Sequence, residues 1–360
     1  MTSPLQVRAS VEGDFDQWFA LMAEVAAEGR WIGTELPMDR AARQAGFAAT
    51  VRDDQAASFL AVAGDRLVGT LGIRCDHGVA ELGMAVSAEA RGRGAGSALM
   101  ETALAWAGGA GAHKVTLSVF PHNHRARALY AKFGFVSEGT LRRHHRRRGG
   151  QLWDAVVMGL VLDTTSPGSP RERGGAGPGH RVSLELHPAA LAAGAGVVLR
   201  PWRLADAAAL VAGIDEAEVH RWLDGLPDPY TVEDAHAFLS DARRSWAEAT
   251  AAPLAITIGD EPAGGICLAL DSRVPGVGEL GYWVAAPARR RGVASAAAEA
   301  VVAWAFGPVG LHRVELHAAV DNLASRRVAE RAGFQQEGIK RRWRRRHGRL
   351  ADFALYACTA

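Results

Sequence analysis

The chain has 360 residues, 48% apolar and 22% charged, with 41 Lys+Arg against 39 Asp+Glu for a net charge of +2. That length allows two or three domains with packed cores, and the near-neutral balance argues against a general attraction to nucleic acid or anionic membranes. No apolar stretch is long enough to span a bilayer, and the start MTSPLQVRAS lacks a basic-then-apolar signal pattern. Cys75, Cys267 and Cys358 are too scattered for a disulfide framework or a zinc site, so a cytoplasmic protein without a bound metal is expected.

Along the first half, Phe59–Val62, Leu67–Ile73 and Val79–Val86 read as strands. Arg93–Ala107 reads as a helix with Leu99, Met100, Ala103 and Leu104 on one face. After a strand at Val115–Phe120, Asn123–Phe133 reads as a short helix, with Asn123 suited to the N-cap and Gly134 to the stop. Its apolar face is Ala126, Leu129, Tyr130 and Phe133, at helical spacing. Val136–Arg143 and Leu152–Val161 complete a mixed α/β (α+β) domain. Composition then breaks at Asp163–His180, DTTSPGSPRERGGAGPGH, which reads as a linker between domains at 1–162 and 181–360.

The second half repeats the first. AELGMAVSAEARGRGAGSALMETALAWA from Ala80 returns as GELGYWVAAPARRRGVASAAAEAVVAWA from Gly278, so Glu81 matches Glu279 at a shift of 279 − 81 = 198. Asn123 and Gly134-Phe135 return as Asn322 and Gly333-Phe334 at a shift of 322 − 123 = 199. Solenoid repeats run to about 20–50 residues, so this long period means duplicated domains.

In both halves a small-residue turn follows a strand and opens a helix: Arg91-Gly92-Arg93-Gly94-Ala95-Gly96, and Arg289-Arg290-Arg291-Gly292-Val293-Ala294. Such a turn aims backbone N–H groups and the positive end of a helix dipole at one spot, which suits a pyrophosphate. The dinucleotide fingerprint GxGxxG and the P-loop are both absent. A bare tight turn is the plainer reading, but it would have to occur twice in the same context.

These segments resemble motif A, [Q/R]xxGx[G/A], of the GNAT superfamily of acyl-CoA-dependent N-acyltransferases. The run NHRARALYAKFGF from Asn123 resembles the motif that follows it. The resemblance covers nearly all of both halves outside the linker. It implies two GNAT folds, each a mixed, splayed central sheet flanked by helices, with acetyl-CoA (coenzyme A) as cofactor at up to one per domain. By resemblance, Arg91 to Gly96 with Ser97, and Arg289 to Ala294 with Ser295, hold the CoA pyrophosphate. The motif A strand would bulge and splay, so that Met84, Ala85 and Val86, or Trp283, Val284 and Ala285, pair with the pantetheine arm. One of these groups would polarise the thioester carbonyl.

An attacking amine must lose a proton. Glu81 and Glu279 are the candidate bases; each reads equally as a solvated or ion-paired strand carboxylate. Tyr130 has the spacing of a core tyrosine, whereas the resemblance implies the acid that protonates the CoA thiolate. Asn123 and Asn322 head the two motifs. The second half has Ala329 where the first has Tyr130. Its Asn322-Leu323-Ala324-Ser325, with Leu199–Trp202 and Gly281–Val284, resembles the RimJ/RimL branch, in which the serine lies near the CoA sulfur. Ser325 reads equally as a small packed residue. Trp31 to Glu35 loosely resembles the segment that covers the acceptor in many GNATs, or is simply a packed loop.

The basic runs Arg142–Arg148 and Lys340–His347 fall between the last two expected strands of each half, where a solvated edge hairpin is favoured over an RNA contact. The resulting expectation is an N-acetyltransferase acting on a small-molecule amine or a protein N-terminus, as a monomer or homodimer. No membrane partner is expected, and nucleic acid is the less favoured one. Two alternatives stay open: one catalytic half beside a CoA-binding or structural half, and an RNA- or ribosome-associated protein on the same scaffold.

Overall fold

The computed structural model describes residues 5–162, 190–194 and 196–360, so the expected linker at 163–180 lies outside the described residues. The chain divides into two compact units. The first comprises Met1–Leu141, His145–Pro178 and Lys340–Arg344; the second comprises Arg142–His144, Gly179–Ile339 and Arg345–Ala360.

The first half runs β1 (Leu5–Ala9), α1 (Phe15–Ala27), α2 (Arg40–Arg52), β2 (Ala56–Ala63), β3 (Arg66–Asp76), β4 (Val79–Val86), α3 (Ala95–Gly109), β5 (Lys114–Val119), α4 (His124–Lys132), β6 (Val136–Arg146) and β7 (Leu152–Val161). Its strands lie in the order β1-β2-β3-β4-β5-β7-β6. Only β4 and β5 pair in parallel; the other described pairs are antiparallel.

The second half runs β8 (Leu191–Ala193), β9 (Val197–Pro201), α5 (Ala207–Ile214), α6 (Ala217–Trp222), α7 (Val232–Ala247), β10 (Ala251–Ile258), β11 (Glu261–Leu270), β12 (Val277–Val284), α8 (Val293–Phe306), β13 (Arg313–Ala319), α9 (Leu323–Arg331), β14 (Gln335–Arg346) and β15 (Arg349–Thr359). The order is β14-β15-β13-β12-β11-β10-β9-β8, with β12 and β13 parallel. The expected mixed, splayed sheet with helices is therefore present in each half.

Burial explains why these segments hold. On α3, Leu99, Met100, Ala103 and Ala107 are fully buried against the sheet core built by Leu71, Ile73, Val115 and Leu117. On α8 the same stripe is Ala297, Ala298, Val301 and Ala305, packed with Leu254, Leu280 and Val314. On both helices alanines stand among larger apolar side chains at these positions, so the two layers interdigitate. Because α3 opens at Ala95 rather than Arg93, the helix is shorter at its start than its apolar period suggests. Gly94 stands in the left-handed region at φ 93°, outside helical geometry.

Two helices lie between β1 and β2, and three between β9 and β10. The basic runs are placed differently from the expectation. Arg142–Arg146 belongs to β6 and Lys340–Arg346 to β14, and the hairpins turn later, with Gly150 and Gly348 at φ 82° and 77°. The solvated-hairpin expectation fails at Arg147, which is buried and donates to the carbonyls of Gly29 and Ile32, both at 3.1 Å. No helix among the described residues is long and apolar enough to cross a membrane.

Candidate active site

The central opening of each unit is a parting of two parallel strands. β4 pairs with β5 only at Val79↔Lys114, Ala80↔Val115 and Glu81↔Thr116, while its ladder with β3 runs unshifted to Gly69↔Val86. The second unit does the same: β12 meets β13 only from Val277 to Glu279, yet stays paired with β11 to Val284. The expected splay is present. The expected bulge is not, because the register with the preceding strand is unbroken through Met84–Val86 and Trp283–Val284. Divergence from the next strand alone frees one side of the backbone.

In the first unit this parting opens into a cleft of about 710 Å³. Its lining brings together Glu81, Met84, Ala85, Val86, Arg91, Gly92, Gly94, Gly96, Ser97, Asn123 and Tyr130. Arg93 and Ala95 are not in that lining: Arg93 is exposed on the turn and the Ala95 methyl is in the core. The first intrahelical bond of α3 is Ala98 N–H to the Gly94 carbonyl. The N–H groups of Ala95, Gly96 and Ser97 therefore have no carbonyl earlier in the helix to donate to. No acidic side chain stands in the first turn of α3 or α8, which suits an anion at each N-terminus.

The second unit reproduces the turn with one difference. Gly292 is left-handed at φ 78°, like Gly94, but the place of Gly92 (φ 77°) is taken by Arg290, left-handed at φ 59°. Arg291 and Gly292 are exposed, Ala294 is half-buried, and Val293 and Ser295 pack into the interior.

Arg91 and Arg289 do something the sequence did not suggest. The Arg91 Nε donates to the Val86 carbonyl at 3.0 Å, and its two terminal nitrogens grip Glu28, one at 2.7 Å. Arg289 repeats this with the Val284 carbonyl at 2.9 Å and both oxygens of Glu216 at 2.8 Å. Each arginine thus ties the free end of the splayed strand to the segment after the unit's first helix. Glu28 also accepts from Trp31 Nε1 at 2.5 Å, and the Arg91 hydrogen bond holds its carboxyl below the usual range.

Tyr130 is buried on α4, and burial pushes its hydroxyl up to about 12. Asn123 and Asn322 spend their side-chain oxygens as N-caps, accepting from Ala126 N at 3.2 Å and Ser325 N at 3.0 Å. Glu279 lies 3.0 Å from Nδ1 of the buried His317. Ala329 is buried where the first unit has Tyr130, but a different tyrosine is nearby: the Tyr282 hydroxyl is 2.8 Å from Ser325 Oγ, bridging β12 to α9. Burial pushes Tyr282 up to about 12. Trp283 stacks on Trp202, with ring centroids 6.4 Å apart.

Two family models match this chain: "Acetyltransferase (GNAT) family" over residues 18–135 and "Acetyltransferase (GNAT) domain" over residues 197–335. The chain is a tandem GNAT protein. A relative from Bacillus subtilis (strain 168), "Putative ribosomal N-acetyltransferase YdaF", is 28% identical over 40% of this chain and 79% of its own length. From the same organism, "Uncharacterized N-acetyltransferase YoaA" is 34% identical over 22% of this chain and 45% of its own. Among solved structures, RimJ of Mycobacterium smegmatis in complex with CoA-disulfide is 29% identical, covering 48% of this chain and 86% of that one with a TM-score of 0.44. Both GNAT matches span the segments built above: splayed strand, small-residue turn and Asn-capped helix.

Proposed function

We propose that this GNAT chain is an acetyl-CoA-dependent N-acetyltransferase whose first unit transfers the acetyl group directly to a primary amine. The observation that carries this is the single cleft holding Glu81, the unpaired side of Met84–Val86, the open N-terminus of α3 and Tyr130. The turn at Gly94 holds the pyrophosphate of the acetyl donor, and the free backbone of β4 pairs with its extended arm. Glu81 takes a proton from the incoming ammonium, directly or through water. The amine nitrogen then forms its bond to the thioester carbonyl carbon while a β4 N–H supports the oxyanion. As the C–S bond breaks, the sulfur accepts a proton from Tyr130, which burial keeps in its protonated form, and the second proton shed by the nitrogen as the amide forms returns through water to restore Tyr130.

The second unit is proposed as a second donor site with its own amine acceptor, such as a protein N-terminus, the class that its resemblance to the RimJ/RimL branch at Asn322–Ser325 favours. There the Tyr282–Ser325 hydroxyl pair stands in for Tyr130. A monomer or homodimer in a reducing cytoplasm fits the free thiols.

Calorimetric titration with acetyl-CoA tests the reading. A stoichiometry near two supports both sites, near one restricts the reading to one unit, and no binding overturns it in favour of the RNA-binding alternative.

A further inference from the structure

The far end of the first unit's cleft is walled by aromatic rings. Trp31 from the α1–α2 loop, Phe120 just past β5 and His145 from β6 line the same cleft as Glu81. Phe120, only 4% exposed, is the hub. His122 stacks on it at 5.5 Å, and His145 and Trp153 meet it edge-on at 5.2 and 5.1 Å. Arg147 fixes the wall before any substrate arrives. Its guanidinium lies 4.5 Å from the Trp153 ring centre while it donates to the Gly29 and Ile32 carbonyls of the facing loop. A wall that is already ordered loses little entropy when something binds it.

The charges narrow what that guest is. Arg147 lies against the Trp153 ring and Arg30 lies 4.2 Å over Trp31, so cations already occupy these faces. The wall therefore favours a neutral flat group, while Glu81 receives the ammonium end.

The second unit is an internal control. At the shift of 199, Arg147 returns as Arg346 (346 − 147 = 199), which holds the end of α6, donating to the Arg221 carbonyl at 3.0 Å and lying 4.3 Å from the Trp222 ring. Phe120 and His122, however, return as Ala319 and Asp321 (319 − 120 = 199, 321 − 122 = 199), and Asp321 pairs with Arg346 at 2.9 Å. This corner of the fold thus forms without counterparts of Phe120 and His122, so packing alone does not require those two rings in the first unit.

We propose that the first unit selects primary amines bearing a planar aromatic or heteroaromatic group, seated against Phe120, His145 and Trp31, and that the second unit lacks this preference. This rests on the acyltransferase reading above and names its acceptor class. The test compares 2-phenylethylamine with 2-cyclohexylethylamine, alike in size and charge but differing in aromaticity, on the full chain with saturating acetyl-CoA. One or two edge-to-face ring contacts predict a kcat/KM about tenfold higher for the aryl amine. Phe120→Ala, which installs the second unit's residue, brings the ratio to about one with acetyl-CoA affinity unchanged. His145→Ala lowers it in the same direction if Phe120→Ala does not fold. A ratio near one in the native chain, or an unchanged ratio in the folded variants, overturns the proposal. If acetyl-CoA binds and neither amine turns over, direct calorimetry of the two amines decides, and equal affinities overturn it. Failure to bind acetyl-CoA would instead overturn the acyltransferase reading.

Discussion

Replacing Glu28 by Gln tests what the motif A arginine does. The carboxylate accepts two guanidinium bonds from Arg91 and one from Trp31 Nε1, and the two side chains are 28% and 17% exposed. Hydrogen bonds to charged groups contribute about 1.5–3 kcal/mol and neutral ones about 0.5–1.5. Glutamine keeps the shape and one acceptor oxygen but removes the charge, so the loss should be about 1.5 kcal/mol. For a unit of this size that is roughly 3–6 °C in the melting transition. Because Glu28 anchors the loop carrying Trp31, the KM for the amine should rise about tenfold while the Kd of acetyl-CoA stays within about twofold. Scanning calorimetry and steady-state kinetics with both substrates varied read these out. If Arg91 instead served the pyrophosphate, releasing it from Glu28 would tighten acetyl-CoA binding. That result, or no change in either stability or amine KM, would refute the clamp. Glu216→Gln repeats the experiment in the second unit.

The same pair sets a pH dependence. Arg91 lowers the Glu28 carboxyl in the folded chain, so its contribution is fully present above the unfolded value of about 4.3 and is lost as pH falls through the lower folded value. Acid titration of native and Glu28→Gln chains should converge there. Tyr130→Phe should lower first-unit kcat by about 100-fold or more without changing the Kd of acetyl-CoA, and the native rate should show no alkaline fall from Tyr130 below its value of about 12. Gly94→Val places a β-branched residue at φ 93° and should reduce the calorimetric stoichiometry by one. Arg290→Gly relieves a left-handed non-glycine residue at φ 59° and should stabilise the second unit by about 1 kcal/mol, measured by urea unfolding.

What could be read from sequence was local. The small-residue turn, the strand before it and the Asn caps are set by neighbours a few residues away, and Gly94, Asn123 and Asn322 stand where their own chemistry requires. The clamps were hidden because Glu28 and Arg91 are 63 residues apart, and Glu216 and Arg289 are 73 apart. A signal existed, since an acidic residue follows the first helix of both halves, but the shift there is 216 − 28 = 188 rather than 198, so the repeat alignment passes over it. The Gly281–Val284 segment was legible, but the contact of Tyr282 with Ser325 was not, because Tyr282 comes from β12 rather than from the helix that carries Tyr130. The basic runs misled because a row of like charges suggests solvent, while Arg147 is sunk among rings and carbonyls supplied by distant loops.

The parting of β4 from β5 has a consequence for what can enter. A sheet edge on the outside of a protein invites any extended polypeptide to add itself as another strand. Here the unpaired edge from Leu82 to Val86 is recessed within the sheet, between strands still joined at their other end through Glu81 and Thr116. A further strand would have to enter between two strands still hydrogen-bonded at one end, whereas a thin linear molecule with amides along its length needs only the free backbone groups of one side. The shape of the opening is therefore itself a filter that hides an aggregation-prone edge from other proteins, and the duplication provides that filter twice.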